Sequence, residues 1–419
     1  MEVKKGFIER WLVPVFERVG SNRHMVVLRE SFLLVIPIIL IGSVFNILPN
    51  VPGLSKLFAP YAAFLTSITQ ITYGAMAVYL TILLSHNLAK SYDLDPINPS
   101  IVSLIAFLVS GLTLKDVDGV FYLSMEWLGP WGIFGAILIS FYATELYRIC
   151  LKRGLYWKPP QGVPKGVGKF VEAIVPEALI LTPVVSCLAL GVKIPTVLGI
   201  AFRPLLKMAD SYPAFLLALF VEHLTWYLGI HCFAAIGPAY FPFLISNTAA
   251  NATAIAKGLA APFVATFETY FGGGGGGTGD HFPLVLFGLR SKSKTLRTVS
   301  KAALVPTLLE INEPVLFGFP IILNPVFFVP QCIIAPLCRS LAYVLTSAGL
   351  VAKSSVSFFA FVPSPIIWYF GTLDWRVIPW GLLIGYILPG IGYYPFFKVW
   401  ERHMVQEEAK NMEQEADMR

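Results

Sequence analysis

The stretch SFLLVIPIILIGSVFNILP, residues 31–49, contains no charged side chain. A helix of roughly 20 apolar residues is long enough to cross the hydrocarbon core of a bilayer. Strands of a membrane barrel would alternate apolar and polar residues, and this stretch does not. Apolar runs of similar length recur along the chain at 97–114, 131–148, 174–192, 212–233 and 376–397. The pattern predicts an integral membrane protein built as a bundle of transmembrane helices.

The composition and charge agree with a membrane protein. The 419 residues are 56% hydrophobic and only 13% charged, whereas soluble domains carry about 25% charge. The net charge of +6 arises mainly from basic loops at 152–169 and 290–297, which is typical of cytoplasmic loops rather than of a nucleic-acid surface. The five cysteines show no metal or redox spacing, and neither a P-loop nor a dinucleotide fingerprint is present. We therefore predict no cofactor, no metal and no nucleic-acid partner, and the missing P-loop argues against a self-contained ATP-driven pump.

The segment LKRGLYWKPPQGVPKGVGKF, residues 151–170, is the longest polar connection and predicts a boundary between domains at 1–170 and 171–419. Apolar segments after it are repeatedly interrupted by Gly, Pro, Asn and acids. Irregular backbone at membrane depth must line a cavity or be buried in protein, and broken segments are typical of transport sites. We expect a scaffold in the first domain and the site in the second. The start of the chain, residues 1–20, lacks the apolar core of a signal peptide and predicts an interfacial amphipathic helix, with a solvated helix as the alternative.

Two acids lie in the apolar segment LLEINEPVLFGFPIILNP, residues 308–325. An acid near the centre of a transmembrane helix costs on the order of 2.5–3.5 kcal/mol on insertion scales, so such residues usually face a pathway or a partner. We interpret Glu313 as functional rather than as a cap on a nearby helix end. Asn312 and Pro314 beside it indicate a broken helix. For Glu310 the functional and structural interpretations stay equally open.

His231 lies in the sequence HLTWYLGIHC, close to Trp226 and Tyr227. A single histidine on an apolar face is usually a packing residue. Neighbouring aromatics favour a sugar site, because aromatic faces stack on sugar rings while acids, amides and imidazoles bond the hydroxyls. Such partners are needed since each buried unpaired polar group costs about 1–3 kcal/mol. His223 and His231 lie eight residues apart with Glu222 adjacent, which is not the spacing of the HExxH metal motif.

The run Gly272–Gly277 is open to two interpretations. It is either a flexible linker or a backbone turn that a ligand can approach closely. The basic sequence LRSKSKTLR, residues 289–297, predicts a cytoplasmic loop that could also dock an acidic partner.

Four of these motifs carry a family resemblance: WYLGIH, LRSKSKTLR, INEPVLFGFPIILNP and GTLDWR. They resemble the membrane permease (enzyme IIC) of the bacterial phosphoenolpyruvate-dependent sugar phosphotransferase system, of the lactose/cellobiose/diacetylchitobiose type. The resemblance covers nearly the whole chain. It implies an all-α homodimer in the bacterial inner membrane, with about ten transmembrane helices per chain, two re-entrant hairpins and interfacial amphipathic helices. The N-terminal domain would form the dimer interface, the C-terminal domain would hold the sugar, and both termini would be cytoplasmic.

The resemblance also implies roles for particular residues. The substrate-site histidine falls on His231 and its motif tryptophan on Trp226, while the essential glutamate falls on Glu313 beside Asn312. The aromatic that stacks on the sugar maps on Phe361, where the family usually has tryptophan. The glycine-rich turn usually reads GG[ST]GAT. Here Gly279 is followed by Asp280 and His281, which could mean a different hydroxyl pattern or a charged or amino-substituted sugar. The resemblance implies that Asn312, Gly279 and Asp280 bind the substrate.

The implied function is transport of a β-linked disaccharide and presentation of its 6-hydroxyl to a separate enzyme IIB, the phosphocysteine donor, with enzyme IIA upstream. The chain would not be an enzyme on its own; Glu313 would accept the hydroxyl proton and His231 would orient it. Two alternatives stay open. An ion-coupled secondary transporter would use the same acids, and an intramembrane glycosidase would pair Glu310 with Glu313, although Pro314 breaks the helical geometry there.

Overall fold

The computed structural model describes residues 21–47, 55–72, 74–112, 114–117, 120–123, 127–129, 132–159, 162, 164–230, 237–358 and 362–417. These residues are predominantly helical, as the sequence predicts. They also include a short antiparallel ribbon, in which β1 (Leu114–Val117) pairs with β2 (Val120–Leu123). The predicted interfacial helix at residues 1–20 lies outside the described residues.

The first compact unit spans Gly20–Lys207, and the second contains Met208–Arg419. This division lies after the predicted boundary at residue 170. The helix that begins at Lys165 packs on the helix at Ile97–Ser110, so it belongs with the first unit. The dimerisation and sugar-binding roles of the two domains stay predictions. The helices of the first unit are α1 (Arg23–Ile47), α2 (Ser55–Phe58), α3 (Ala62–Thr72), α4 (Met76–Ser91), α5 (Ile97–Ser110), α6 (Ile133–Lys152), α7 (Lys165–Ala189) and α8 (Ile194–Ala209), which crosses the boundary.

Small side chains allow α4, α5 and α6 to approach closely. Ala77, Ala106 and Ala136 are fully buried in the shared core. Hydroxyl groups add bonds between the helices, since Ser85 lies 2.7 Å from Thr144 and accepts a hydrogen bond from Ser103 at 3.0 Å. Small residues and interhelical hydroxyl bonds are typical of helix packing in membranes, where lipid provides little hydrophobic driving force between helices.

The second unit consists of shorter and more interrupted helices, as the frequency of Gly, Pro and Asn in its sequence predicts. Its helices are α9 (Tyr212–Tyr227), α10 (Gly237–Ala256), α11 (Phe267–Gly272), α12 (Phe282–Leu289), α13 (Lys294–Leu308), α14 (Glu313–Gly318), α15 (Pro325–Val329), α16 (Ala335–Ser347), α17 (Ser364–Thr372), α18 (Val377–Leu382) and α19 (Leu388–Asp417).

Two π-helical turns interrupt longer helices of the second unit. The turn Pro330–Ile334 joins α15 to α16, and the turn Leu383–Ile387 joins α18 to α19. Such turns are rare and frequently occur at functional sites. Both contact the same short segment, the glycine-rich turn described below.

Within the described residues, four helices are long and apolar enough to cross a membrane: Ile133–Lys152, Gly166–Ala189, Pro325–Ser347 and Val377–Gln414. Three of them include most of the predicted runs at 131–148, 174–192 and 376–397. The run at 97–114 corresponds to the shorter apolar helix Ile97–Ser110. The predicted number of about ten spans, and the two re-entrant hairpins, stay predictions.

Candidate functional site

The glycine-rich turn, Gly272–Asp280, is buried at every residue. It joins α11 to α12 and packs against other segments of the second unit. A side chain at Gly274 would collide with the guanidinium of Arg339, and a side chain at Gly385 would collide with the backbone of Gly274. The segment is therefore a packed junction, not a flexible linker, and its glycines allow close approach by the protein itself.

The carboxylate of Glu310 accepts hydrogen bonds that hold the glycine-rich turn in place. One oxygen, Oε2, accepts the backbone N–H groups of Gly276 at 3.1 Å and Gly277 at 2.6 Å, and Oε1 accepts the N–H of Ser364 at 2.9 Å. Hydrogen bonds to a charged acceptor are stronger than those between neutral groups. The role that the sequence left open is thus structural, because both oxygens of Glu310 are engaged by backbone. This also removes Glu310 as the second carboxylate of a glycosidase pair.

Glu313 differs from Glu310 although only three residues separate them. It is the first residue of α14, is half-buried, and makes no side-chain hydrogen bond within the described part of the chain. Glu310 has a left-handed backbone with φ of 65°, so the chain turns between the two acids and sends them in different directions. A carboxylate at a helix N-terminus is favoured by the helix dipole and keeps its oxygens available for a ligand.

The two amides of the NEP segment, LLEINEPVLFGFPIILNP at residues 308–325, bind backbone. Asn312 is buried and donates from Nδ2 to the carbonyl of Thr278 at 2.6 Å, which attaches the NEP segment to the glycine-rich turn. Asn324 caps α15, where its Oδ1 accepts the N–H of Val326 at 3.0 Å. The amides therefore hold the segment's shape, and direct sugar binding by Asn312 stays a prediction.

Asp280 is fully buried and faces the protein. Its Oδ1 accepts a hydrogen bond from Arg339 Nη2 at 2.7 Å and from the Gly275 N–H at 2.9 Å. Arg339 Nη2 also donates to the Gly277 carbonyl at 2.8 Å, and Nη1 lies 4.0 Å from Glu222 Oε1. The acid that departs from the family pattern is thus neutralised by an arginine of the same chain.

His281 also has an internal partner. Its Nε2 lies 2.7 Å from Oε1 of Gln331, which accepts a further bond from the Tyr393 hydroxyl at 3.1 Å. Gln331 belongs to the π-helical turn before α16. Gly279, with φ of 110°, leaves no room for a side chain beside His281 and Gln331. A sugar contact by Gly279 stays a prediction.

The C-terminal end of α9 meets both the turn and the NEP segment. Glu222 Oε1 accepts a hydrogen bond from the Thr278 hydroxyl at 2.6 Å, and the Tyr227 carbonyl accepts the N–H of Leu323 at 2.9 Å. Trp226 lies four residues after Glu222, on the same face of the helix, and is buried. The structure thus brings together the tryptophan motif, the glycine-rich turn and the NEP segment, which the sequence had only placed in one domain.

His231 and Phe361 lie outside the described residues, so their predicted roles stay predictions. Sequence reasoning did not identify Arg339 and assigned no role to Glu222. A charged residue in an apolar run was the signal available for both, because such residues usually face a partner or a pathway.

Comparisons with known proteins agree with this architecture. The model of the family "Phosphotransferase system, EIIC" matches residues 29–335. The lichenan permease IIC component of Bacillus subtilis is 29% identical, over 96% of this chain and 94% of its own. The lactose-specific EIICB component of Streptococcus mutans is 30% identical, over 95% of this chain and 72% of its own. The crystal structure of the IIC component of an N,N'-diacetylchitobiose-specific phosphotransferase system superposes with a TM-score of 0.88 at 25% identity, covering 96% of this chain and 99% of that one.

The matched family region contains the glycine-rich turn and the NEP segment, and the structural match extends over both compact units. The all-helical membrane architecture predicted from the apolar runs is the architecture of that transporter. This chain therefore belongs to the EIIC family, the multi-pass membrane permeases of the sugar phosphotransferase system.

Proposed function

We propose that this permease binds a β-linked disaccharide of the cellobiose or diacetylchitobiose kind and presents its 6-hydroxyl for phosphorylation. The phosphoryl donor is the phosphocysteine of a separate enzyme IIB, which receives its phosphate from enzyme IIA. The names of the relatives support this substrate class, since they refer to lichenan, lactose and diacetylchitobiose. Enzyme IIB is fused to the permease in the EIICB relative, and this chain covers 72% of that protein.

The contrast between Glu313 and Glu310 carries the proposal. Glu313 has a half-buried carboxylate with no bond inside the described part of the chain, next to a segment whose other polar groups are engaged. A general base must reach the proton that it removes with an oxygen free to accept it. Glu313, whose oxygens have no internal partner in the described part of the chain, meets this need at the sugar hydroxyl.

The transfer step follows from these roles. The 6-oxygen of the sugar attacks phosphorus, the oxygen–phosphorus bond forms as the sulfur–phosphorus bond breaks, and the hydroxyl proton passes to Glu313. The thiolate of enzyme IIB is the leaving group. Because phosphoryl transfer depends mainly on positioning and electrostatic stabilisation, the permease contributes by orienting the hydroxyl.

The remaining predicted contacts complete the proposed site. Trp226 and Phe361 stack on the sugar rings, His231 orients the reacting hydroxyl, and Asn312 and Gly279 border the site. In the bilayer the permease works as a homodimer of the bacterial inner membrane, with both termini in the cytoplasm.

The test is Glu313→Gln in inside-out membrane vesicles supplied with phosphorylated enzyme IIB and cellobiose. We expect sugar binding within a few-fold of wild type and formation of the 6-phosphate lowered about 10²–10⁴-fold, the usual contribution of a general base. Glu407→Gln is the matched control, because Glu407 is exposed near the end of α19. Phosphorylation at the normal rate by Glu313→Gln would show that the base role is wrong. Concentrative uptake of unmodified sugar along an ion gradient, without the phosphotransferase proteins, would favour a secondary transporter.

A further inference from the structure

We infer that Asp280, Arg339 and Glu222 form a buried positioning network that sets the shape of the glycine-rich turn, and that Asp280 does not bind the charge of a substrate. The inference rests on the proposed function, because the turn borders the proposed sugar site. Asp280, the residue that departs from the family pattern, is thus part of the scaffold of the site, and its charge is compatible with a neutral disaccharide as substrate.

The first argument is the placement of the guanidinium. Arg339 is 1% exposed and Asp280 is 0% exposed. One nitrogen, Nη2, binds both the side chain of Asp280 and the carbonyl of Gly277. The guanidinium occupies the space beside Gly274 that a side chain would need. The arginine therefore contacts three positions of one turn and fixes their spacing.

The second argument is charge. A buried arginine is costly unless acids compensate it, and a buried acid is costly unless a cation or donors compensate it. Asp280 pairs directly with Arg339 and accepts the Gly275 N–H, and Glu222 lies 4.0 Å from the other terminal nitrogen, Nη1. A neutral residue at position 280 would leave Arg339 without its directly hydrogen-bonded acid, and only the more distant Glu222 and Glu310 would compensate its charge. The presence of the acid in the turn is explained by the presence of this arginine.

The third argument is the link to the proposed sugar-stacking residue. Glu222 accepts the Thr278 hydroxyl and lies one helical turn before Trp226. A shift of the turn therefore changes the anchoring of the helix face that carries Trp226. This predicts an effect on substrate affinity although none of the three residues has to contact the sugar.

The experiment measures KM and kcat for 6-phosphorylation of cellobiose and of its cationic diamino analogue, chitobiose. The variants are Asp280→Asn, Arg339→Met, the double variant and Arg339→Lys. We expect each single variant to raise KM for cellobiose about 10–100-fold, because loss of buried hydrogen bonds in the network weakens the anchoring of the helix face that carries Trp226, with a smaller change in kcat. The rise in KM of the double variant should be smaller than the product of the rises in the two single variants, which is the sign of direct coupling.

Arg339→Lys separates geometry from charge. Lysine retains the charge but lacks the planar fork, in which Nη2 binds Asp280 and the Gly277 carbonyl while Nη1 lies near Glu222, so its KM should stay raised. Thr278→Val provides a milder variant in case the buried pair cannot be removed without loss of folding. It removes only the hydroxyl that binds Glu222 and should raise KM in the same direction, while Thr278→Ser should retain the wild-type value.

Several results would overturn the inference. Multiplicative effects of Asp280→Asn and Arg339→Met would exclude coupling, and a full rescue by lysine would exclude the geometric role. A loss confined to chitobiose, with cellobiose unchanged, would show that Asp280 binds substrate charge. Failure of the proposed function is distinguishable, because the wild-type protein would then phosphorylate neither sugar. In that case the coupling is measured from the cellobiose dissociation constants of the same variants. Additive changes in binding free energy would refute the network.

Discussion

Replacement of Glu310 by alanine should destabilise the second unit, whereas the same replacement of Glu313 should not. Glu310 accepts three backbone N–H groups, from Gly276, Gly277 and Ser364. A buried donor left without a partner costs about 1–3 kcal/mol. Glu310 is only half-buried, so water can replace part of the lost hydrogen bonding. We therefore take the lower end of this range, about 1 kcal/mol for each of the three N–H groups, or about 3 kcal/mol in all.

The assay is thermal unfolding of the purified protein in detergent. For a domain of this size a loss of 1 kcal/mol lowers Tm by about 2–4 °C, so Glu310→Ala should lower the apparent Tm by about 6–12 °C. Glu313→Ala is the matched control and should change the apparent Tm by no more than about 2 °C, because Glu313 makes no side-chain hydrogen bond in the described part of the chain. An unchanged Tm for Glu310→Ala, or an equal loss for both variants, would refute the assignment of separate structural and functional roles.

Three further changes test other contacts of the second unit. Gly385→Ala should prevent the close approach of the π-helical turn to Gly274 and lower both Tm and sugar affinity; a variant with wild-type affinity would show that this approach is dispensable. Asn324→Ala should cost about 1 kcal/mol through loss of the α15 cap, whereas Asn324→Asp should keep most of the stability in the same melting assay. Asp374→Asn should remove the ion pair with Arg376. Burial acts to raise the pKa of Asp374, but hydrogen bonds from Arg376 and from the Ala352 N–H outweigh it and hold the pKa below its usual value. The stability difference from wild type should therefore be complete above about pH 4 and disappear as the pH falls through that lowered pKa; a difference that instead grows at acid pH would contradict this assignment.

The length of the apolar runs determined that the chain is a helical membrane protein, because hydrophobic length relative to bilayer thickness is a local property of the sequence. The same is true of the broken helix at Asn312 and Pro314, where the structure begins a new helix at Glu313. The ribbon at residues 114–123 was not predicted, although the Asp118–Gly119 pair between its strands is a recognised hairpin signal.

The roles of the acids required the tertiary structure. Sequence position made Glu310 and Glu313 near equivalents, and only the left-handed backbone at Glu310 and its contacts with a turn over 30 residues earlier separate them. The unusual Asp280 suggested a different hydroxyl pattern or a charged or amino-substituted sugar, because its partner, Arg339, follows 59 residues later, in α16. The sequence thus determined which polar groups in an apolar segment need a hydrogen-bonding or charged partner. The tertiary structure decided which of them find that partner within the protein, because electrostatic pairing depends on distance in space and not along the chain.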